Sequence, residues 1–241
     1  MDDEDTLDPF FAEGLVTEVM RTIKSGKEAA VWLCRGGPAA GSPLLAAKVY
    51  RSRYRRNFKN DAVYKEGRLI QKRRIRVAVE KKTRFGRELE DGWWVNRESE
   101  ALTTLHAAGA DVPRPIAASG AAVLMEYVGD EEDAAPQLLR VSLDAAEAQR
   151  AFDRLLWNLE LWLSRDIVHA DLSAYNILYW QDRAIVIDFP QSIDARTNPN
   201  AHELLARDLK HLCRHFARYG VEEDAVDLTE DLWGRYAYAR L

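Results

Sequence analysis

The sequence predicts an α+β fold in two parts, strand-rich first and helix-rich second. Short apolar runs broken by Gly and Pro dominate the first 128 residues, and apolar positions at helical spacing dominate from residue 143 onward. Between the two patterns a connector over residues 126–132 leads into the acidic turn "GDEEDAAP". The boundaries expected are an extension over 1–14, a first lobe over 15–128 and a second over 129–241. At 241 residues and 47% hydrophobic, the chain can bury a core as one large domain or as two lobes sharing a cleft.

The elements follow in order. Residues 15–36, "LVTEVMRTIKSGKEAAVWLCRG", read as two strands around a turn at "KSGKE", because β-branched and apolar residues flank a Gly-centred polar break. After "GGPAAGSP" comes a third strand, "LLAAKVY", and then a basic insertion over 51–92, expected to be flexible. "WWVNRESEALTTLHAAG" reads as a helix with Trp94, Glu98, Ala101, Leu102 and Leu105 at helical spacing; Trp93 and Trp94 are expected to cap it, and Gly109 with "DVPRP" stops it. Two strands, "IAASG" and "AAVLMEYV", close the first part. "LDAAEAQRAFDRLLWNLELWLSRD" is then a long amphipathic helix with Phe152, Leu155, Leu156, Leu159 and Leu163 on one face. "RAIVIDFP" reads as a strand ending in an acid, and 201–219 and 222–240 as two closing helices. Most of the seven tryptophans fall at apolar helical positions and read as core.

Composition excludes several classes. No apolar run approaches the roughly 18 residues a membrane span needs, and "MDDEDTLDPFF" is acidic where a secretory signal is basic and then apolar. A soluble, cytoplasmic protein with no membrane partner is expected. Cys34 and Cys213 lack metal or disulfide spacing and read as buried or idle thiols. The net charge of -5 conceals an asymmetry: residues 51–87 hold 15 Lys or Arg against Asp61, Glu66 and Glu80, which makes +12 there and -17 elsewhere. Such a segment is either a solvated insertion or a contact for nucleic acid or another polyanion. Tyr54, Phe58, Tyr64 and Phe85 offer stacking surfaces, but no RNA-binding signature accompanies them.

The stretch "IVHADLSAYNILYW" sets Asp171 and Asn176 five residues apart in a polar loop between apolar runs, and Asp188 follows one hairpin later. Phosphoryl transfer from ATP needs a carboxylate to orient or deprotonate the acceptor, and oxygen ligands to hold magnesium against the phosphates. Magnesium takes few protein ligands, so Asn176 and Asp188 suffice. Singly, Asn and Asp in loops are ordinary turn formers; the spacing of the three is what points to this chemistry. Lys48 lies inside an apolar strand, where an ammonium is costly unless paired, and Glu98 on the next helix is the expected counter-ion. The alternative is a Lys48 that snorkels from an edge strand. In the turn "KSGKEAAV", Gly26 permits close approach of phosphate, with Ser25 and Lys27 as contacts. His211 and His215 have the i, i+4 spacing of metal ligands, but Cys213 points to another face, and a packed or solvated helix is the preferred reading. His169 is expected to pack and to shape the loop rather than to titrate.

These residues resemble, in order, the motifs of the RIO family of atypical serine/threonine protein kinases. "SGKEAAV" resembles the phosphate loop, "AAKVY" the strand lysine, "RESEALTTL" the helix glutamate, "HADLSAYNIL" the catalytic loop and "IDFPQ" the metal loop. The resemblance runs from about residue 15 to 215. It implies a bilobal protein-kinase-like fold with a small strand-rich N-lobe, a reduced helical C-lobe and an ATP site between them. By the same resemblance Asp171 is the catalytic base, Asn176 and Asp188 bind magnesium (or manganese), and Lys48 binds ATP. Met125 backs the adenine pocket, and the Glu126 carbonyl and Val128 amide read the adenine edge. Asp188 is also implied as a phosphate acceptor, with ATPase turnover through an aspartyl-phosphate. Asp208 in "ARDLKHL" falls where the family places an aspartate that hydrogen-bonds the catalytic-loop backbone. The extension over 1–14 is too short for the winged helix of one branch, so the resemblance is to the branch without it. Against ordinary protein kinases there is no GxGxxG, "HAD" lacks an arginine, "DFPQ" replaces DFG, and no APE motif or usual peptide-docking helices follow.

The function expected is thus an ATP- and magnesium-dependent serine/threonine kinase that phosphorylates itself and a protein substrate the sequence does not identify. A second class is an ATP-switched binding factor for ribosomal RNA or a ribosomal precursor, with residues 51–87 as the contact. A small-molecule kinase of aminoglycoside or choline type has a similar Asp to Asn spacing, but "DFPQ" and Ser173 argue against it. A dead scaffold is disfavoured because none of the expected charged groups is replaced.

Overall fold

The computed structural model describes residues 5–51 and 84–241, with the backbone alone over 84–93. Among the described residues two compact units are distinguished, one holding 5–51, 84–100 and 114–134, the other 101–113 and 135–241. The division falls after Ala134 rather than after residue 128. Arg21 Nη2 donates to Glu132 O at 2.9 Å and Arg35 pairs with Glu131 at 3.2 Å, which ties the acidic turn to the strands that carry those arginines.

The first unit is built on an antiparallel sheet of β1 (Val16–Ser25), β2 (Ala29–Gly36), β3 (Leu44–Tyr50), β4 (Pro115–Ser119) and β5 (Ala122–Glu126), in the order β1-β2-β3-β5-β4. Alternation along β3 sorts its side chains between faces. Leu45, Ala47 and Val49 join a core cluster with Cys34, Ala122 and Leu124, closed by Leu7 and Phe10. Phe10 belongs to α1 (Asp8–Ala12), a short helix the sequence reading left inside the extension; Pro9 sits in its first turn, where a missing N–H costs nothing. Ala46, Lys48 and Tyr50 take the other face, and Met125 and Val123 stand opposite Ala46 and Lys48 in register.

Helix α2 (Arg84–Ala107) starts well upstream of the expected position. Trp93 and Trp94 therefore lie inside it and not at its start, and residues 84–92, expected as flexible insertion, are helical. Charges of both signs and Gly86 and Gly92 hide the helical period there. The rest of the basic insertion, with its expected polyanion contact, lies outside the described residues.

In the second unit α3 (Ala145–Leu163) begins with a capping box: Asp144 accepts from Glu147 N, and Glu147 accepts from Asp144 N. Phe152, Leu155, Leu159, Trp162 and Leu163 are buried along its inner face, whereas Trp157 is exposed, against the reading of tryptophans as core. Strands β6 (Ile167–Val168) and β9 (Ile193–Asp194) pair, as do β7 (Ile177–Trp180) and β8 (Arg183–Val186). The β7–β8 turn is Gln181-Asp182 with φ of 49° and 60°, the signature of a type I′ hairpin. β8 ends at Val186, two residues before the expected acid. Helices α4 (Ala201–Phe216) and α5 (Ala225–Ala237) close the unit. Both cysteines are buried and free, and burial pushes the Cys34 thiol up to about 12. Among the described residues no helix is long and apolar enough to cross a membrane.

Candidate active site

The first unit carries the lysine and its partner. Lys48 Nζ stands 2.7 Å from Glu98 Oε1, with the lysine 11% and the glutamate 1% exposed at the side chain. The Tyr50 hydroxyl donates to Glu98 Oε2, and Lys48 Nζ lies 5.0 Å from the Tyr50 ring centroid. β3 is the central strand, so Lys48 does not snorkel from an edge. Tyr50 is a partner the sequence reading missed, although its i, i+2 spacing from Lys48 places it on the same face.

Ser25 ends β1, and Lys27 is exposed in the turn that follows. A Cβ on Gly26 would meet only Ala29 O, at an ordinary 3.5 Å. Neither packing nor backbone conformation demands glycine at that point. Met125 is buried, the Glu126 side chain is exposed, and Val128 is half-buried two residues beyond β5. Glu126 N donates to Arg114 O at 2.8 Å, which fixes the end of β5.

The second unit brings Asp171, Asn176 and Asp188 together. Asn176 Nδ2 donates to the Asp171 carbonyl at 2.9 Å and lies 3.4 Å from Asp171 Oδ2, which turns its Oδ1 away from that loop. Ile187 N donates to Asn176 O at 2.9 Å, joining the Asp188 segment to the Asn176 loop. Gln191, the last residue of "IDFPQ" and one the sequence reading gave no role, lies 3.5 Å from Asp171 Oδ2.

His169 is buried and bridges both segments. Its Nδ1 accepts from Asp171 N at 3.2 Å, so Nε2 carries the proton and faces Ile187 O at 3.2 Å. The ring packs 4.6 Å from Phe189, which in turn meets Trp162 edge-on at 5.5 Å.

Helix α4 grips the loop from beneath. Asp208, fully buried, accepts from Ala170 N at 2.7 Å and Leu172 N at 2.9 Å. Arg207 donates to the Ala170 carbonyl, and His211 Nδ1 meets the Leu172 carbonyl at 3.1 Å. His211 is thus a loop contact, in keeping with the packed-helix reading. His215 is buried and pushed down to about 4 by burial and Arg218. Ala170 and Asp188 both adopt left-handed backbone, with φ of 65° and 74°. Such strain costs roughly 1–2 kcal/mol per residue and persists where surrounding contacts fix it.

The electrostatics of the cluster are set by two neighbouring carboxylates. Burial raises the Asp171 carboxyl above the usual range, and the charge of Asp188 raises it further, while Arg207, Asn176 and His211 pull it down. A divalent cation held at Asp188 would relieve that repulsion. Among the described residues no three His, Cys, Asp or Glu side chains form a metal cage. Magnesium does not require one, since it keeps waters and binds phosphate oxygens beside one or two carboxylates. The donor set of Asn176 and Asp188 fits it.

A model of the RIO domain matches residues 31–230. The chain belongs to the RIO family of serine/threonine-protein kinases. Its relatives include the RIO-type serine/threonine-protein kinase Rio1 of Haloferax volcanii, 31% identical over 212 residues covering 88% of this chain and 68% of that protein. The human serine/threonine-protein kinase RIO3 is 27% identical over 220 residues, covering 87% of this chain and 40% of its own length. The fold matches the Rio2 kinase of Chaetomium thermophilum in its ADP/Mg2+-phosphoaspartate complex, with a TM-score of 0.68 at 21% identity over 93% of this chain and 64% of that one. The RIO domain here is therefore a protein-kinase-like α+β fold, and it spans about two thirds of the archaeal relative and less than half of human RIO3.

Proposed function

We propose that this RIO domain transfers the γ-phosphoryl group of ATP to serine or threonine hydroxyls, its own and those of a protein partner, with magnesium as cofactor. The observation that carries the reading is the Asp171 carboxylate, half-buried, raised in pKa, and set beside Asn176 and Asp188. A base whose pKa lies closer to neutrality accepts a hydroxyl proton more readily than an ordinary carboxylate. In this reading Asp171 orients the acceptor hydroxyl and takes its proton as the oxygen attacks. Asn176 and Asp188 hold the metal, which when bound neutralises charge on the phosphate oxygens. Lys48, fixed by Glu98, holds the α and β phosphates, and Ser25 and Lys27 contact the phosphate chain. Met125 backs the adenine, with the Glu126 carbonyl and Val128 amide on its polar edge.

Asp188 is in addition a candidate phosphate acceptor. Its carboxylate oxygen would bond the γ-phosphorus as the bond to the ADP oxygen breaks, and water would later release phosphate and restore the acid. The phosphoaspartate of the related Rio2 structure supports this. Intact mass after ATP and magnesium, followed by hydroxylamine, separates the two outputs. An 80-dalton gain, about one phosphoryl group, that survives hydroxylamine marks phosphoserine or phosphothreonine; one that hydroxylamine removes marks Asp188. No gain in wild type, with no ATP hydrolysis, would overturn both.

The +12 charge of residues 51–87 favours a second reading, an ATP-switched factor that binds ribosomal RNA. Its mark is affinity falling steeply with salt and lost when Arg53, Arg55, Arg56, Arg73 and Arg74 are neutralised. Affinity unchanged in that variant rejects it.

A further inference from the structure

Tyr175 directly precedes Asn176 in the loop that carries Asp171, and it has no part in the assignments above. Residues 136–139 pin the backbone around it. Gln137 Nε2 donates to the Tyr175 carbonyl at 2.7 Å, Leu139 N to the Ala174 carbonyl at 3.1 Å, and Tyr179 N to Pro136 O at 2.9 Å. Within the loop Asn176 N donates to Ser173 O at 2.8 Å. Leu172 and Ala174 are buried, whereas Tyr175 is 59% exposed. Among the described residues no hydrogen bond and no ring contact reaches its phenol.

A single exposed aromatic is ordinary on a protein surface. Tyr175 differs from the others in place and in partners. Phe11, Trp157, Val226 and Tyr238 lie on or beside α1, α3 and α5, and guanidinium groups cover the rings of Trp157 (Arg154, 3.9 Å) and Tyr238 (Arg240, 5.5 Å). A hydroxyl that gives its proton to Asp171 comes within about 3 Å of that carboxylate. Residues up to two positions away in the acceptor chain then lie within about 7 Å of that hydroxyl's own residue. Asn176 Nδ2 stands 2.9 Å from the Asp171 carbonyl, so the residue before Asn176 is within reach of side chains that flank the acceptor. A phenol ring on a fixed backbone is a rigid apolar surface, the character of an anchor at protein contacts.

We propose that Tyr175 is a contact residue for the protein acceptor, its ring receiving an apolar side chain one or two positions from the serine or threonine that is phosphorylated. This rests on the reading of the chain as a kinase of protein hydroxyls. The partner it fits is an extended polypeptide segment rather than a small-molecule alcohol.

The test uses the whole chain with dephosphorylated casein as acceptor, an unfolded protein that presents extended segments. Casein label from the γ-phosphate of ATP that survives hydroxylamine is followed, and ATP affinity is measured by calorimetry. Tyr175→Ala is expected to raise the KM for casein about tenfold, the scale on which truncating one aromatic anchor weakens a contact, with the Kd of ATP and magnesium unchanged. Tyr175→Phe, which keeps the ring, should stay close to wild type; a loss equal to that in Tyr175→Ala contradicts the ring contact. An unchanged casein KM in Tyr175→Ala overturns the assignment and leaves the kinase reading standing. If ATP weakens in step with casein, Tyr175 is a brace of the Asn176 loop and the assignment likewise fails. Where wild type labels itself but not casein, the comparison is read on self-labelling, which Tyr175→Ala should slow about tenfold; an undiminished rate overturns the assignment. If wild type labels neither, the underlying reading fails with it.

Discussion

Asp171 is fixed more tightly through its neighbours than through its own carboxylate, whose contacts with Asn176 and Gln191 are 3.4 and 3.5 Å long. Ala170 is held at its N–H by Asp208 and at its carbonyl by Arg207, so the left-handed turn that aims Asp171 depends on two consecutive residues of α4. Arg207 also lowers the raised pKa of Asp171. Removing that charge in Arg207→Met should raise the pKa further. A base works when deprotonated, so the acid limb of the kcat profile should move to higher pH; an unmoved limb with reduced kcat would show Arg207 to act on geometry alone.

Burial pushes Asp208 up to about 7, against the pull of its two N–H donors. A carboxyl whose folded pKa exceeds its unfolded value near 4 stabilises most below about pH 4, and that contribution is lost as pH rises through 7. The melting advantage of wild type over Asp208→Asn should therefore shrink between pH 4.5 and 7.5, as thermal denaturation would show. Asp111 has the opposite sign. Its burial is outweighed by bonds from Arg154, Asn158 and Arg183, which leave its pKa lowered, so its contribution holds above about pH 4 and fades below.

Lys48 and Glu98 form a desolvated pair in which loss of one partner strands the other. Lys48→Met should cost about 3–5 kcal/mol of stability, more than Glu98→Gln, which leaves the tyrosine hydroxyl and the ammonium an acceptor. Denaturant unfolding of both variants checks this.

At the scale of elements, α3 shows what a helix start contributes. Asp144→Ala breaks one half of the capping box and should lower stability by about 1 kcal/mol, with ATP affinity unchanged because the box lies outside the proposed site. A drop in nucleotide affinity instead would show that α3 transmits strain to the loop after β6.

Legibility varied by element for physical reasons. β1, β2, β3 and β5 were readable because alternation and Gly-centred breaks are local, and the Lys48–Glu98 pair because an ammonium in an apolar strand demands a carboxylate. α1 was not, since five residues carry too little period, although "DPFF" holds its Pro signal and two buried aromatic or aliphatic anchors flank it. The early start of α2 was masked by mixed charges. The left-handed turn at Asp188 was read as strand because "AIVID" is apolar to its end. Arg207 and His211 act on residues 37 and 39 positions away; no local pattern announces such a contact, and Asp208 was anticipated only through the family resemblance.

For the molecule as a whole, the chemistry is distributed. The first unit holds Lys48, Glu98 and Ser25, and the second holds Asp171, Asn176 and Asp188, so the proposed transfer draws on residues of both. Nucleotide that binds only the folded chain stabilises it by RT ln(1 + [L]/Kd), about 2.7 kcal/mol at a hundredfold excess over Kd. ATP with magnesium should therefore raise the melting temperature. Asp188→Asn, which keeps a side chain tolerant of positive φ, should lose the part of that rise that depends on magnesium while keeping the part given by nucleotide alone. An equal rise with and without magnesium in wild type would argue against the metal assignment.

The most direct measurement follows transfer of the labelled γ-phosphate of ATP into the protein, with magnesium, for wild type, Lys48→Met and Asp171→Asn side by side under conditions where all three remain folded. The account predicts hydroxylamine-stable label in wild type and a loss of at least about a hundredfold in each variant, since charge placement and proton transfer are each worth that much. Undiminished labelling in either folded variant would contradict it.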